Sequence, residues 1–109
     1  MGLARTGAPE VPEVLDLPEP EAGDALVIET AATPVNPVDP ATCSGQIPTS
    51  LPAVLGWDLA GTVAHAPAGS GFRTGDRVLA MTVQPGTGVG SMAESLPSTP
   101  SSWHMCRTA

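Results

Sequence analysis

The density of glycine and proline is the main constraint on how this chain folds. Its 109 residues include 12 glycines and 13 prolines. Pro34, Pro37 and Pro40 fall within seven residues, and proline both removes a backbone donor and breaks helices, so a central strand or a long helix is excluded there. The chain is therefore predicted to be mainly β, with short strands and many loops.

The most strand-like segment of the first half is 24–32 (DALVIETAA), in which Leu26 and Ile28 face the same side. Segment 10–17 alternates imperfectly and contains a proline, which predicts an edge strand at best. Residues 1–9 are small and polar, and we expect them to be frayed.

Two further apolar runs, 59–66 and 77–81, alternate small and branched residues. The turn pair Gly75-Asp76 stands just before the second run, so a pair of strands is predicted. Upstream, we expect a single helical turn over 41–44, since Asp39 can cap it and Pro40 suits the first helical position.

Composition limits the function classes. The net charge is −7, with only four cationic side chains, all arginine, so a basic face for nucleic acid or an anionic membrane is not expected. Two distant cysteines do not form a disulfide framework, which favours a reduced, cytoplasmic setting. No run reaches transmembrane length, and no secretory signal is expected.

Several residues could take part in catalysis or ligand binding, but each also has a simpler structural explanation. Segment 86–90 (GTGVG) is not a dinucleotide fingerprint, because its third glycine comes one position early and no helix pattern follows. Cys43 is expected to be a buried small residue, and His65 an ordinary sheet histidine. No metal site is expected.

Three further candidates are polar or aromatic groups set among proline, glycine and apolar residues: Asn36, Asp39 and the Trp57-Asp58 pair. Such groups either cap turns or form part of a site. Composition alone favours turn caps over a site.

Three motifs carry a resemblance: Asn-Pro-Val-Asp at 36–39, Gly-Trp-Asp-Leu-Ala-Gly at 56–61 and Gly-Asp-Arg-Val at 75–78. With the sequence around them, from Glu10 to Glu94, the chain resembles the N-terminal domain of medium-chain dehydrogenases/reductases. Within that superfamily it is similar to the zinc-independent quinone oxidoreductase branch. The implied fold is a GroES-like, partly open β-barrel, here incomplete.

The resemblance also implies a function. Such enzymes bind NADP(H) on a separate Rossmann domain and reduce a quinone or enone in the cleft between the domains. Zinc-dependent relatives place ligands where this chain has Asn36 and Trp57, so no catalytic zinc is implied. By the same resemblance Asn36 faces nicotinamide and substrate, Asp39 orients the loop, and Trp57 forms a cleft wall.

The chain departs from that family in three ways. Its start is short and unpatterned, no Rossmann domain is present, and residues after Glu94 become rich in serine and proline. We therefore expect a partial domain over 1–94 and a disordered or out-of-frame tail over 95–109. Over residues 102–109 a one-base shift of frame permits the reading Val-Ala-His-Val-Pro-Asp-Gly, which is similar to the family's continuation and suggests a frameshift.

Two functions follow as expectations. The first is the catalytic-domain fragment of an NADP(H)-dependent quinone or enone reductase that is inactive without its cofactor domain. The second is a stand-alone GroES-like binding or scaffolding module without catalysis.

Overall fold

In the computed structural model, residues 1–19, 23–82, 84, 87–98 and 103–108 are described. The elements, in chain order, are β1 (Gly2–Leu3), β2 (Leu26–Ala32), α1 (Val38–Cys43), β3 (Ala53–Val54), β4 (Asp58–His65), β5 (Arg77–Thr82), β6 (Ser95–Ser98) and β7 (Trp103–Arg107). The mainly β class is confirmed. Within these ranges no helix is long and apolar enough to cross a membrane.

Five strands form an antiparallel sheet in the order β6-β2-β4-β5-β7, and β1 pairs with β3 in a separate two-stranded sheet. Within the described residues no pairing joins the edge strands β6 and β7. The sheet therefore stays open, as expected for an incomplete barrel.

The predicted strand segments are found close to their predicted limits. Leu26 and Ile28 of β2 are both buried, and the same is true of Leu59 and Val63 of β4. Alternation along β5 is regular, with every second side chain buried. The main hydrophobic cluster follows from this pattern: Leu26, Ile28, Leu59, Val63, Val78, Ala80 and Leu96.

The prediction of a frayed start is wrong. Gly2 and Leu3 pair with β3, and Leu3 is fully buried. The N-terminal ammonium also donates to the carbonyl of Met92 at 2.6 Å. The sequence shows no periodicity here because a two-residue strand is too short to have any. Segment 10–17 contributes one bridge, between Gly2 and Glu13, rather than a strand.

Segment 95–109 was expected to be a disordered or out-of-frame tail, and its described parts form two strands, β6 and β7. β6 pairs with β2, and β7 pairs with β5 along five residues. Leu96 of β6 is buried in the main cluster. Backbone hydrogen bonds with the edges of an existing sheet do not require an alternating sequence, which is why composition did not reveal these strands.

Helix α1 starts earlier than predicted. It begins at Val38 with Pro37 in the cap position and no capping side chain. Asp39 therefore lies inside the first turn and is not the cap. Gly45 ends the helix as expected, with a φ of 81° and its N–H donating to Thr42.

Candidate functional site

Asn36 lies in the loop between β2 and α1, which Pro34 and Pro37 keep out of regular structure. Its side-chain nitrogen Nδ2 donates to Oδ2 of Asp58 at 2.7 Å. Asp58 is the first residue of β4, so this bond joins the loop to the start of the neighbouring strand. Both side chains are half-buried.

The Asp39 carboxylate stabilises the same loop by accepting backbone hydrogen bonds. It is 3% exposed, and its two carboxylate oxygens accept from different segments. Oδ2 accepts from the N–H of Asn36 at 2.8 Å, and Oδ1 from the N–H of Gly56 at 3.0 Å. Asp39 thereby fixes the backbone on both sides of the Asn36–Asp58 bond.

A second connection runs through Ser91 and Thr33. The N–H of Ser91 donates to the carbonyl of Gly56 at 3.1 Å, and the Ser91 and Thr33 hydroxyls lie 2.8 Å apart. The Thr33 hydroxyl also bonds the carbonyl of Asp58 at 2.8 Å. The bonds therefore form a closed ring between the loop after β2 and the start of β4.

Gly56 is required at its place in this ring. Its φ is 95°, and a Cβ there would overlap the Ser91 hydroxyl. Any other residue would be strained and would also push Ser91 away. The glycine of the Gly-Trp-Asp motif thus permits the close approach of two segments.

Trp57 follows directly and is half-buried. Its backbone carbonyl accepts from the N–H of Thr82 at 2.6 Å, which ties it to the end of β5. Its indole Nε1 is buried and has no hydrogen-bond partner in the part of the chain that the structure describes. The role of Trp57 as a cleft wall stays a prediction, as do the ligand-facing role of Asn36 and the orienting role of Asp39.

The site carries two carboxylates, Asp39 and Asp58, and no cation is paired with either among the described residues. Cys43, at the end of α1, lies near the Asp39 carboxylate. Burial, followed by the nearby Asp39 charge, raises the pKa of its thiol above the ordinary value of 9.0. The thiol is buried, as expected from the sequence, and is suited to packing rather than to nucleophilic attack.

The glycine-rich segment 86–90 is described only from Thr87 onward. The N–H groups of Thr87 and Gly88 donate to the carbonyl of Gln84, and that of Val89 donates to the Thr87 hydroxyl. A phosphate cradle needs such groups unpaired, so these three do not form one. His65 lies in β4 as predicted. In the described ranges no group of three or more histidine, cysteine or acidic side chains is placed to hold a metal.

The sequence predicts site roles for Asn36, Asp39 and Trp57 but none for Asp58. The position of Asp58 beside Trp57 in the Gly-Trp-Asp motif is the signal that could have found it. Thr33 and Ser91 carried no signal, because they are 58 residues apart and only the fold brings them together.

Comparison with solved structures gives several relatives of similar fold. A quinone oxidoreductase from Pseudomonas syringae is 30% identical with a TM-score of 0.78, and the match covers 99% of this chain and 32% of that one. A mycobacterial protein complexed with NADPH is 30% identical with a TM-score of 0.77, over 99% of this chain and 31% of that one. An NAD-dependent alcohol dehydrogenase is 25% identical with a TM-score of 0.77, over 94% and 38%.

The chain thus spans about a third of the length of these structures. A search of curated protein sequences gives no match. Residues 22–104 match the alcohol dehydrogenase GroES-like domain family. That match covers most of the chain and agrees with the open sheet. The chain therefore belongs to the alcohol dehydrogenase GroES-like domain family.

Proposed function

We propose that this chain is the catalytic-domain portion of a zinc-independent, NADP(H)-dependent quinone or enone oxidoreductase, and that it is inactive without a cofactor domain. The observation that carries the proposal is the ring that holds Asn36 against Asp58. Position 36 carries a carboxamide, and by the family resemblance zinc-dependent relatives have a ligand cysteine there, which supports the proposal.

The donor chemistry supports a site without zinc. The nitrogen of a carboxamide is a poor zinc ligand, and Asn36 Nδ2 already donates to Asp58. The neighbouring Trp57 offers an indole N–H, which is a donor only. Neither group resembles the thiolate and imidazole ligands that zinc takes in catalytic sites.

The same residues fit a nicotinamide and an uncharged substrate. Bound NADPH would supply the hydride, and the protein would supply orientation. Asn36 Oδ1 has no hydrogen-bond partner among the described residues and is left for a ligand, while the half-buried Trp57, next to Asp58 in sequence, offers an apolar surface. Asp39 and Gly56 keep this loop rigid, as orientation requires.

The choice of NADP(H), of a quinone or enone, and of a cytoplasmic setting rests on relatives and on composition. One structural relative is a quinone oxidoreductase and another is complexed with NADPH. Cys43 and Cys106 are both free, which fits a reduced compartment.

The test is NADPH oxidation with 1,4-benzoquinone, followed at 340 nm. The 109-residue chain alone should give only the uncatalysed rate. A chimera in which this chain replaces the matching third of the mycobacterial NADPH-binding relative should turn over. Turnover by the chain alone, or loss of the chimera's activity with a zinc chelator, would contradict the proposal.

Asn36→Ala in the chimera should lower kcat/KM by about 10- to 100-fold, since it removes one positioning group. Gln46→Ala is the matched control, because Gln46 is an exposed carboxamide in the following loop. Equal rates for the two variants would refute a role for Asn36.

A second candidate is a stand-alone binding module. The side chains of Leu3 in β1 and Ile28 in β2 are both fully buried. Such complete burial favours this candidate, because it suits a chain that folds on its own. A sharp thermal transition together with an inactive chimera would support this module over the reductase.

A further inference from the structure

The loop between β4 and β5 and the outer strand β7 border a cavity at the other end of β4 from Asp58. Its volume is about 410 Å³. Four residues line it: Gly71, Arg73, Asp76 and Arg107. Strand β4 runs from Asp58 to His65, so at about 3.3 Å per residue the cavity lies roughly 20 Å from the Asn36–Asp58 bond. A ligand in this cavity would therefore occupy a second site.

The guanidinium group of Arg107 is held in place by three partners. Its Nε donates to Oδ2 of Asp76 at 3.0 Å, and its Nη2 donates to the carbonyl of Gly71 at 2.7 Å. Nη2 also lies 3.0 Å from the same carboxylate oxygen, and the centre of the Phe72 ring lies 5.5 Å from Cζ. These contacts use the hydrogens of Nε and Nη2, so Nη1 is the end that keeps its two N–H groups for a ligand.

Arg73 adds a second guanidinium group to the cavity. Its backbone N–H donates to Oδ2 of Asp76 at 2.9 Å, which fixes its main chain. Its side chain has no hydrogen-bond or ion-pair partner among the described residues, so all five of its side-chain N–H groups are free there. The one lining side chain that accepts is Asp76, through Oδ1, and N–H donors on the lining side chains therefore outnumber acceptors.

The lining residues are positively charged although the chain as a whole is strongly negative. Two arginines and one carboxylate leave one net positive charge, in a chain whose net charge is −7. Only two acidic residues, Asp76 and Glu94, follow position 58, whereas three of the four arginines do. Charge and donors together favour an anionic group that presents several acceptor oxygens.

We propose that this cavity binds a phosphate monoester of a small organic molecule. A phosphate group has three terminal oxygens and a charge of about −1.5 to −2, so it can accept from both guanidinium groups, whereas a planar carboxylate is matched by one. The cavity has room for about a dozen water-sized groups at roughly 30 Å³ each, so a phosphate group alone would leave most of it for the organic part. The proposal does not depend on the function proposed for the Asn36 site.

Binding can be measured on the 109-residue chain by ¹⁵N NMR at pH 7 and constant ionic strength, with glycerol 3-phosphate as the probe. The backbone amides of Gly71, Arg73 and Arg107 should shift and saturate. The amide of Arg5, an exposed residue outside the cavity, should stay in place. The absence of saturable shifts at the three lining residues would overturn the proposal.

Two further probes test the chemical class of the ligand. Acetate should bind about tenfold more weakly than glycerol 3-phosphate, because it engages one guanidinium group and loses a charge-assisted hydrogen bond. Inorganic phosphate should bind about threefold more weakly, because it lacks the organic part that would fill the cavity. Equal affinity for acetate would refute a phosphate site, and equal affinity for inorganic phosphate would refute the organic part.

The variant Arg73→Gln tests the site with little risk to the fold, because no described residue bonds to the Arg73 side chain. It should raise the dissociation constant of glycerol 3-phosphate about tenfold, the effect of one charge-assisted hydrogen bond. Arg5→Gln makes the same change in net charge at an exposed arginine elsewhere and is the matched control. Equal dissociation constants for these two variants would refute the assignment.

The variant Arg107→Lys separates a defined site from simple charge attraction. It keeps the positive charge but loses the planar fork that bonds Asp76 and Gly71, so binding should weaken about tenfold. Arg77→Lys, at an exposed arginine of β5 that does not line the cavity, is the control and should bind as the wild type does. Unchanged binding in Arg107→Lys would overturn the proposal, since charge alone would then attract the phosphate.

Discussion

Asp39 determines the local geometry of the site more than any other single residue. Its carboxylate is almost fully buried and accepts two backbone N–H groups that are 20 residues apart in sequence, those of Asn36 and Gly56. Buried donors without acceptors are costly, so both segments depend on this side chain.

Asp39→Ala should lower the free energy of unfolding by about 3 kcal/mol, because two buried N–H groups lose a charged acceptor. Urea unfolding measures this. Asp39→Asn keeps one acceptor and should cost less. Asp16→Ala is the control, since Asp16 is exposed, and should change stability by less than about 0.5 kcal/mol. Similar losses for Asp16→Ala and Asp39→Ala would contradict the network.

Cys43 makes stability depend on alkaline pH. The folded state raises the pKa of its thiol above 9.0, chiefly by burial, so between the unfolded and folded pKa values the folded chain binds more protons than the unfolded chain. The stabilisation is complete below the unfolded pKa and is lost as pH rises towards the higher folded value.

Stability of the wild type should therefore fall as pH rises above about 9, the ordinary thiol pKa, and Cys43→Ala should remove most of the slope. The chain has no lysine or tyrosine, so few other groups titrate there. Cys106→Ala, which changes the exposed cysteine, should keep the slope. Urea midpoints from pH 8 to 10.5 decide between these outcomes, and a slope unaffected by Cys43→Ala would refute the assignment.

At the scale of elements, the outer strands decide how complete the sheet is. β6 covers the edge of β2 and β7 covers the edge of β5. β6 also adds Leu96, which is 2% exposed, to the main cluster. A disordered segment would leave β2 open at its edge and its apolar face incomplete.

The variant Leu96→Ala distinguishes an ordered strand β6 from a disordered segment. If β6 is formed, the variant should lose about 2–4 kcal/mol of stability, the usual cost of truncating a buried leucine. Leu51→Ala, at a leucine that is 44% exposed, should cost much less. Equal thermal midpoints for the two variants would instead favour a disordered tail.

At the scale of the whole molecule, the residues that the structure describes form two apolar clusters. The larger lies on the five-stranded sheet, and the smaller joins Leu3 of β1 to Cys43 and Leu55. The site adjoins both clusters along the chain, since Gly56 follows Leu55 of the smaller cluster and Asp58 precedes Leu59 of the larger one. Its rigidity therefore depends on the smaller cluster as well as on the sheet.

Leu3→Ala should loosen the site more than the sheet. Amide exchange of Gly56 and of Ser44, at the end of α1, should become faster, while Ile28 and Val63 keep most of their protection. Exchange measured by NMR gives both sets at once, and Leu17→Ala, at an exposed leucine, is the control. Uniform acceleration across all four amides would show that the clusters open together.

Local pattern was enough to predict the three longer strands, because alternation of small and branched residues needs only neighbouring positions. It also marked Asn36 and Asp39 as either turn caps or site residues, and it placed glycine at the end of α1. It failed for β1, β6 and β7, whose formation depends on partners far away in sequence. It also assigned Asp39 to a helix cap, because the competing acceptor role depends on Gly56.

The sequence by itself determined a mainly β chain with short elements, since proline and glycine limit what the backbone can do locally. It also determined which side chains are available at the site, namely a carboxamide, two carboxylates and an indole. Only the tertiary structure decided how they are arranged, because the ring through Thr33, Gly56 and Ser91 joins segments up to 58 residues apart. Hydrogen bonds across such distances follow from chain packing, which local sequence does not encode.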